Sequence, residues 1–264
     1  MFGVERKNIK KMIQNGEIAL GMTCSLFDPA VAEIAGIAGY DYIRMDCEHN
    51  LCDYSAIKSF IRSADSVGIP VIIRLTNLDN ITALNDFGVS GYQIPHVKNA
   101  EQAKRIVQLS KYAPVGIRGV ISTGRAHQYG DIPFDAYKTC ADEEMLIIVQ
   151  IEDNQGIQNM EEIIAVEGVD VICTGKGDIS QALGILGDKM NPKVDEVENR
   201  IIEMAQKYNK PTLVVGKNES HWIDLVKNKS VAMAEYANDI SMLLSAAKEA
   251  RKGMEFLKSA KAAK

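Results

Sequence analysis

The chain has few cysteines, and their spacing suggests no pairing. Cys24, Cys47, Cys52, Cys140 and Cys173 form an odd set with no CxxC among them. They read as reduced thiols of a cytoplasmic protein, each serving as a small apolar residue. At 264 residues the chain is long enough to bury a sizeable core without disulfides. Long apolar runs are missing as well. None approaches the roughly 20 residues that span a bilayer, and the opening MFGVERKNIKKMIQNGE is too charged for a secretory signal. Positive charge is in short supply: 30 Lys and Arg stand against 35 Asp and Glu, a formal net charge of −5. With no basic cluster on a helix face, nucleic acid is excluded as a partner. Neither the GxxxxGK[ST] phosphate loop nor the GxGxxG dinucleotide fingerprint occurs, which argues against NAD-dependent hydride transfer. What remains, 46% hydrophobic and 25% charged, is the balance of an ordinary globular protein.

Short apolar runs alternate with amphipathic helical patterns along the whole length. Strands are predicted at 18–24, 41–46, 70–75, 91–95, 145–151, 169–175, 211–216 and 229–235. These runs are rich in Val, Ile and Leu and mostly lack strict alternation, as strands covered on both faces do. Helices are predicted between them, including 54–67, 99–111 and 192–208, with Asn99 as an N-cap and Gln102 three residues on. Eight strands each followed by a helix is the count that closes a parallel sheet into a (β/α)8 TIM barrel. A doubly wound open sheet is the alternative. No Pro/Gly/Ser-rich linker and no close repeat divides the chain, so 1–264 reads as one barrel domain. Residues 114–144 break the rhythm, with several glycines, Arg118, Arg125, His127 and Tyr129. A connection of this length suits a lid at the top of the barrel, or a surface excursion built around a short helix at Asp135–Ala141.

In this fold, chemistry belongs at the carboxyl ends of the strands. Strand two ends in Asp46-Cys47-Glu48-His49-Asn50, strand three carries Arg74, strand five ends in Gln150-Ile151-Glu152-Asp153, and strand six runs into Gly175-Lys176-Gly177-Asp178. Glu152 and Asp178, from adjacent strand ends, form a hard-oxygen pair suited to Mg²⁺ or Mn²⁺, with positions left open for a bidentate substrate. Zinc fits less well without a histidine triplet or thiolate set. The competing reading has Asp178 capping a helix that starts at Ile179, and Glu152 capping or pairing at the surface. Asp46 is placed to hold the His49 imidazole in one tautomer, as an acid–base dyad requires. Arg74 cannot shed its proton and so needs an anionic partner: a substrate carboxylate or enolate, or else Asp46 or Glu48. His96 reads as a packed ring at a strand end. Lys176, between two glycines, reads as an anion grip beside helix amides.

Taken together, these strand ends resemble the HpcH/HpaI aldolases, class II enzymes that cleave 2-oxo-acid aldols. The matching pieces are DCEH at 46–49, PVIIRL at 70–75, IPHVKNAEQA at 94–103, GIRGV at 116–120, VQIED at 149–153 and VEGVDVICTGKGDISQALG at 166–184. The resemblance runs from about residue 18 to 216. It implies reversible cleavage to pyruvate, or a related oxo acid, and an aldehyde, through an enolate and with a divalent metal: Mg²⁺ or Mn²⁺, with Co²⁺ also suitable. It implies Glu152 and Asp178 as metal ligands, Arg74 on the enolate oxygen, and His49 as the base with Asp46 behind it. Gln150 and Gly177 fall at substrate-binding positions, and Asp86 at one offered to a neighbouring subunit's site. The family forms homo-oligomers, hexameric or trimer-based, in which the last helix is exchanged between subunits. A condensing enzyme joining the enolate to a second oxo acid or a thioester is an alternative within enzymes, and a metabolite-binding barrel the alternative outside them.

Overall fold

The computed structural model describes residues 5–215, 219–228 and 231–262. Eight parallel strands close into a barrel in sequence order: β1 (Ala19–Cys24), β2 (Tyr42–Asp46), β3 (Val71–Arg74), β4 (Gly91–Ile94), β5 (Leu146–Ile151), β6 (Val171–Thr174), β7 (Thr212–Val214) and β8 (Val231–Asn238). All eight predicted strands are present. Gly216, at the predicted end of the seventh, and residues 229–230, at the predicted start of the eighth, lie outside the described residues. The helices are α1 (Ile9–Gln14), α2 (Pro29–Ile37), α3 (Tyr54–Ser66), α4 (Ile81–Phe87), α5 (Ala100–Ser110), α6 (Phe134–Glu144), α7 (Asn154–Gln158), α8 (Met160–Ile164), α9 (Lys176–Ala182), α10 (Pro192–Lys207), α11 (Glu219–Asn228), α12 (Asp239–Gly253) and α13 (Phe256–Ala262). Their starts follow from local chemistry. Asp28, Asp53, Asn99, Asp153 and Asn191 each accept a backbone N–H of the first turn, and Pro29 and Pro192 sit where a missing N–H costs nothing.

The two-residue period of a strand sorts each run into two cores. Outward residues such as Ile43, Met45, Ile73, Ile147, Val149 and Ile151 join the shell between strands and helices, with Phe60, Ile61, Ile106 and Ile163. Inward residues Ala19, Tyr42, Ile72, Leu146, Ile148, Val171, Leu213 and Met233 fill the lumen, and Ile9 of α1 closes its amino-terminal end. Gly21 makes room there: a Cβ on it would stand 2.1 Å from the Tyr42 ring. Continuing inward up the strands, the side chains turn polar. The sequence on β5 is Leu146, Ile148, Gln150, then Glu152, and on β2 Tyr42, Arg44, Asp46. Midway up, Arg44 and Glu235 form a buried pair, with Nε 2.8 Å from Oε1. Thr23 donates its hydroxyl to the same carboxylate at 2.8 Å.

The segment 114–144 corrects the expectation of a lid. Helix α5 has already carried the chain back to the amino-terminal end of the barrel, and β5 starts from there. The segment therefore packs at the end opposite the strand termini that carry the polar groups. Arg125 reaches Asp65 at the end of α3 at 2.7 Å and Phe87 O at the end of α4 at 3.0 Å, while α6 packs on α1. The short helix predicted at Asp135–Ala141 is the centre of α6.

Candidate active site

Register places the site. Asp46 pairs with Arg74 across β2 and β3, and Arg74 with Gln93 across β3 and β4. The three therefore face the lumen at one level: Asp46 and Arg74 end β2 and β3, and Gln93 is one residue short of the end of β4. Arg74 is clamped by Asp46 through two bonds, Nε to Oδ1 at 2.9 Å and Nη2 to Oδ2 at 2.7 Å. Glu48 approaches the same Nε at 3.3 Å. Burial alone would raise the Asp46 carboxyl, but the hydrogen bonds and charge of Arg74 outweigh it and hold Asp46 below the usual carboxylate range. This settles where Asp46 is engaged. It does not orient His49, because both of its oxygens are committed to Arg74. His49, with a side chain 60% exposed, has Glu48 as its carboxylate neighbour, Nε2 to Oε2 at 3.5 Å.

Sequence reasoning named Glu48 only as one of the partners open to Arg74, which the 3.3 Å contact bears out, and it read His96 as a packed ring; their link to each other it missed. His96 stands between two carboxylates, with Nε2 3.3 Å from Glu48 Oε1 and Nδ1 3.4 Å from Glu152 Oε1. Its own backbone N–H donates to Glu152 at 3.2 Å. Its φ of 54° lies in the left-handed region, a strain that persists in non-glycine residues mostly where function fixes the geometry. The signal in the sequence was position: each lies two residues past a strand end, Glu48 after Asp46 of β2 and His96 after Ile94 of β4. Gln93, a polar residue inside β4, was overlooked for the same reason. It donates to Gln150 Oε1, and Gln150 Nε2 donates in turn to Glu152 Oε2.

Glu152 is 1% exposed, so it is neither a surface pair nor a cap. Burial pushes its carboxyl up to about 7; the Gln150 hydrogen bond opposes that rise and the nearby negative charge of Asp178 adds to it. Asp178 sits in the first turn of α9, which starts at Lys176 with Gly175 as N-cap and no side-chain cap. It is therefore not the N-cap that the competing reading required. Gly175 is shaped around the neighbouring carboxylate, since a Cβ there would stand 1.9 Å from Glu152 Oε2 and 2.8 Å from Gln150 Nε2. Lys176 turns away from the site to α10, 2.8 Å from Glu198 and 3.1 Å from Asp195, so it grips no anion at the strand ends. Gly177 lies in the same turn of α9. Asp86 lies apart from the cluster, near the end of α4, 2.8 Å from the buried Arg118.

The donor set suits a hard divalent cation. Glu152 and Asp178 are two carboxylates that feel each other's charge, and a buried carboxylate beside a second one gains most from a cation. Among the described residues no group of three or more His, Cys, Asp or Glu is arranged to hold a metal. Two carboxylates alone would leave the remaining positions of such a cation to water and substrate oxygens.

Comparison with known proteins decides the family. Residues 20–255 match the model of the HpcH/HpaI aldolase/citrate lyase family. The chain belongs to that family. It is accordingly a carbon–carbon lyase, an aldolase of the class II kind, from a family that generally depends on a divalent metal. The hydroxypyruvate/pyruvate aldolase of Roseobacter denitrificans is 32% identical over 90% of this chain and 93% of its own. The 5-keto-4-deoxy-D-glucarate aldolase of Citrobacter koseri is 35% identical over 77% of this chain and 79% of its own. Among solved structures, an HpcH/HpaI aldolase from Desulfitobacterium hafniense aligns with TM-score 0.85 at 27% identity, covering 93% of this chain and 96% of that one. The citrate synthase SbnG aligns with TM-score 0.83 at 29% identity, covering 95% and 100%.

Proposed function

We propose that this aldolase reversibly cleaves the aldol adduct of a 2-oxo acid to pyruvate, or a close relative, and an aldehyde, with a divalent cation on Glu152 and Asp178. The observation that carries the reading is the convergence of a buried, cradled carboxylate with a fixed guanidinium on one rim of the barrel. A cation such as Mg²⁺ or Mn²⁺, or Co²⁺, would supply polarisation of the substrate's keto oxygen. The chain does the rest. Arg74 is pre-set by Asp46, so Nη1, which those bonds do not use, meets the enolate oxygen without reorganising. Gln150 and the backbone around Gly177 hold the oxo acid's carboxylate end. His49 takes the proton of the departing hydroxyl and returns it in the condensation direction, with Glu48 rather than Asp46 beside it. His96 bridges Glu48 and Glu152 and keeps the two from drifting apart. In wild-type protein, EDTA abolishes pyruvate release from an oxo-acid aldol, and added Mg²⁺ or Mn²⁺ restores it. Turnover that persists after complete metal removal contradicts this reading.

The likeness to a citrate synthase supports a second reading, in which the same enolate condenses with another oxo acid or a thioester. A screen of acceptors, with and without an acyl-CoA, separates the two. Tight oxo-acid binding without deuterium exchange into pyruvate would instead mark a metabolite-binding barrel.

The reading also includes a homo-oligomer, hexameric or trimer-based. Of α12 only Asp239 is buried, while Ile240, Leu243 and Leu244 are exposed, as are Phe256 and Leu257 of α13. Such a face is covered by a second copy of the chain, and in that assembly Asp86 serves a neighbouring site. Analytical ultracentrifugation at micromolar concentration is expected to show an assembly of three or six chains, and a stable monomer rules the exchange out. No helix among the described residues is long and apolar enough to cross a membrane. Five free thiols suit a reducing compartment such as the cytoplasm.

A further inference from the structure

Gln93 places an amide in the barrel wall where an apolar side chain would continue the lumen. It is 2% exposed and pairs in register with Ile148 of β5, an inward residue of the apolar lumen. Hydrogen bonds account for only one end of its side chain. Nε2 donates one hydrogen to Gln150 Oε1 and the other to Cys173 Sγ at 3.6 Å, a thiol that itself donates to Thr174 O at 3.6 Å. Gln93 Oε1 is buried with no hydrogen-bond partner among the described residues. A buried acceptor left unpaired costs stability, so stability alone does not explain an amide at this position.

The other end of the side chain leads to the active site. Gln150 lies one inward step above Ile148, in register with Cys173 of β6, and its Nε2 donates to Glu152 Oε2. Gln93, Gln150 and Glu152 thus form a line of hydrogen bonds that all run the same way. One end fixes its sense. A carboxylate only accepts, so Gln150 must show Glu152 its NH₂ and turn its carbonyl back, and that carbonyl then needs a donor. Gln93 is that donor. The backbone at Gly175 closes the opposite side, passing so near that a Cβ there would stand 2.8 Å from Gln150 Nε2.

We propose that Gln93 is a positioning residue: by donating to Gln150 it holds the Gln150 amide, and through it the Glu152 carboxylate, in the orientation that takes up a divalent cation. The inference rests on the proposed metal role of Glu152. Without the Gln93 N–H, Gln150 Oε1 is buried unpaired, and the side chain turns toward another donor and draws its own N–H away from Glu152. Groups that orient a metal ligand are worth roughly 10- to 100-fold in metal affinity. Gln93 stands one bond further out, so the lower end of that range applies.

A packing role and a positioning role differ in what Gln93→Leu does. Leu removes the unpaired acceptor along with the donor, so the melting temperature stays within about 4 °C of wild type. Binding of Mn²⁺ to metal-free protein, measured by isothermal titration calorimetry with pyruvate present, weakens about tenfold. Gln150→Leu weakens it too, and adding Gln93→Leu to Gln150→Leu weakens it no further, because the link through which Gln93 acts is gone. Gln93→Met, unbranched and close in length to glutamine, repeats the measurement if the leucine variant does not fold. Wild-type affinity in these variants overturns the proposal, and so does a loss that simply adds to that of Gln150→Leu. A melting temperature lowered by more than about 10 °C in both variants makes the role structural and overturns it as well. If the wild type itself binds no Mn²⁺, the metal reading of Glu152 fails and this inference with it; if the wild type binds and the variants match it, this inference alone fails.

Discussion

Arg74→Ala lowers kcat for aldol cleavage by about 10²- to 10³-fold, the cost of losing one pre-set donor to a developing oxyanion. The reason is geometric. Asp46 holds the guanidinium by two bonds of 2.9 and 2.7 Å, so its donors are aimed before substrate arrives. An interaction made mainly with the enolate is missing from the ground state, and KM therefore moves far less than kcat. Arg74→Lys keeps a positive charge for Asp46 and Glu48 but loses the planar fork that the clamp requires. It folds like the wild type and remains impaired. Steady-state kinetics of both variants, beside thermal melts, separate a catalytic loss from a folding loss. A kcat within threefold of wild type in Arg74→Ala would remove Arg74 from the chemistry.

The second large effect concerns stability. Arg44 and Glu235 are almost wholly enclosed within the barrel, and Glu235 also accepts from Thr23 at 2.8 Å and Tyr42 at 3.3 Å. Such a pair need not stabilise the fold against an apolar replacement of both partners. Removing one partner strands the other, at about 3–5 kcal/mol. Glu235→Leu is therefore expected to lower unfolding stability by that amount, and Arg44→Met combined with Glu235→Leu to recover much of it. Urea unfolding of the three proteins checks this. The effect is also pH-dependent. Burial alone would raise the Glu235 carboxyl, yet the charge of Arg44 wins and holds it below the ordinary glutamate value of 4.5. A lowered carboxyl contributes stability that is complete above the unfolded value and is lost as pH falls through the folded one. The gap between wild type and Glu235→Leu is thus constant above about pH 5 and narrows in acid. A gap that widens on acidification contradicts the assignment.

Much of this architecture was legible in the chain because barrel strands are short, Val/Ile/Leu-rich and separated by capped helices. The run Leu146-Ile147-Ile148-Val149-Gln150-Ile151-Glu152 carries more than a strand. Read at every second residue it gives the lumen from floor to rim, apolar and then polar. Contacts set by three-dimensional aim were not legible. Asp46 and His49 are three residues apart, but the strand register turns Asp46 toward Arg74, and the chain bends away before His49. His96 reads as a packing residue until a left-handed backbone places it between Glu48 and Glu152. Residues 114–144 looked like a lid when counted from β4, because that count leaves out the descent of α5 to the opposite end. Lys176, beside two glycines in sequence, is drawn to Asp195 and Glu198 of α10, a helix that the sequence predicts at 192–208 but whose packing beside α9 only the fold supplies.

The most direct test titrates the metal-free protein with Mn²⁺ and follows the free ion by electron paramagnetic resonance, in the presence of pyruvate. One strongly held ion per chain is expected in the wild type. That binding is expected to be lost in Glu152→Ala and in Asp178→Ala, both still folded. If either variant binds Mn²⁺ with the stoichiometry and affinity of the wild type, the two carboxylates are not the cation's ligands.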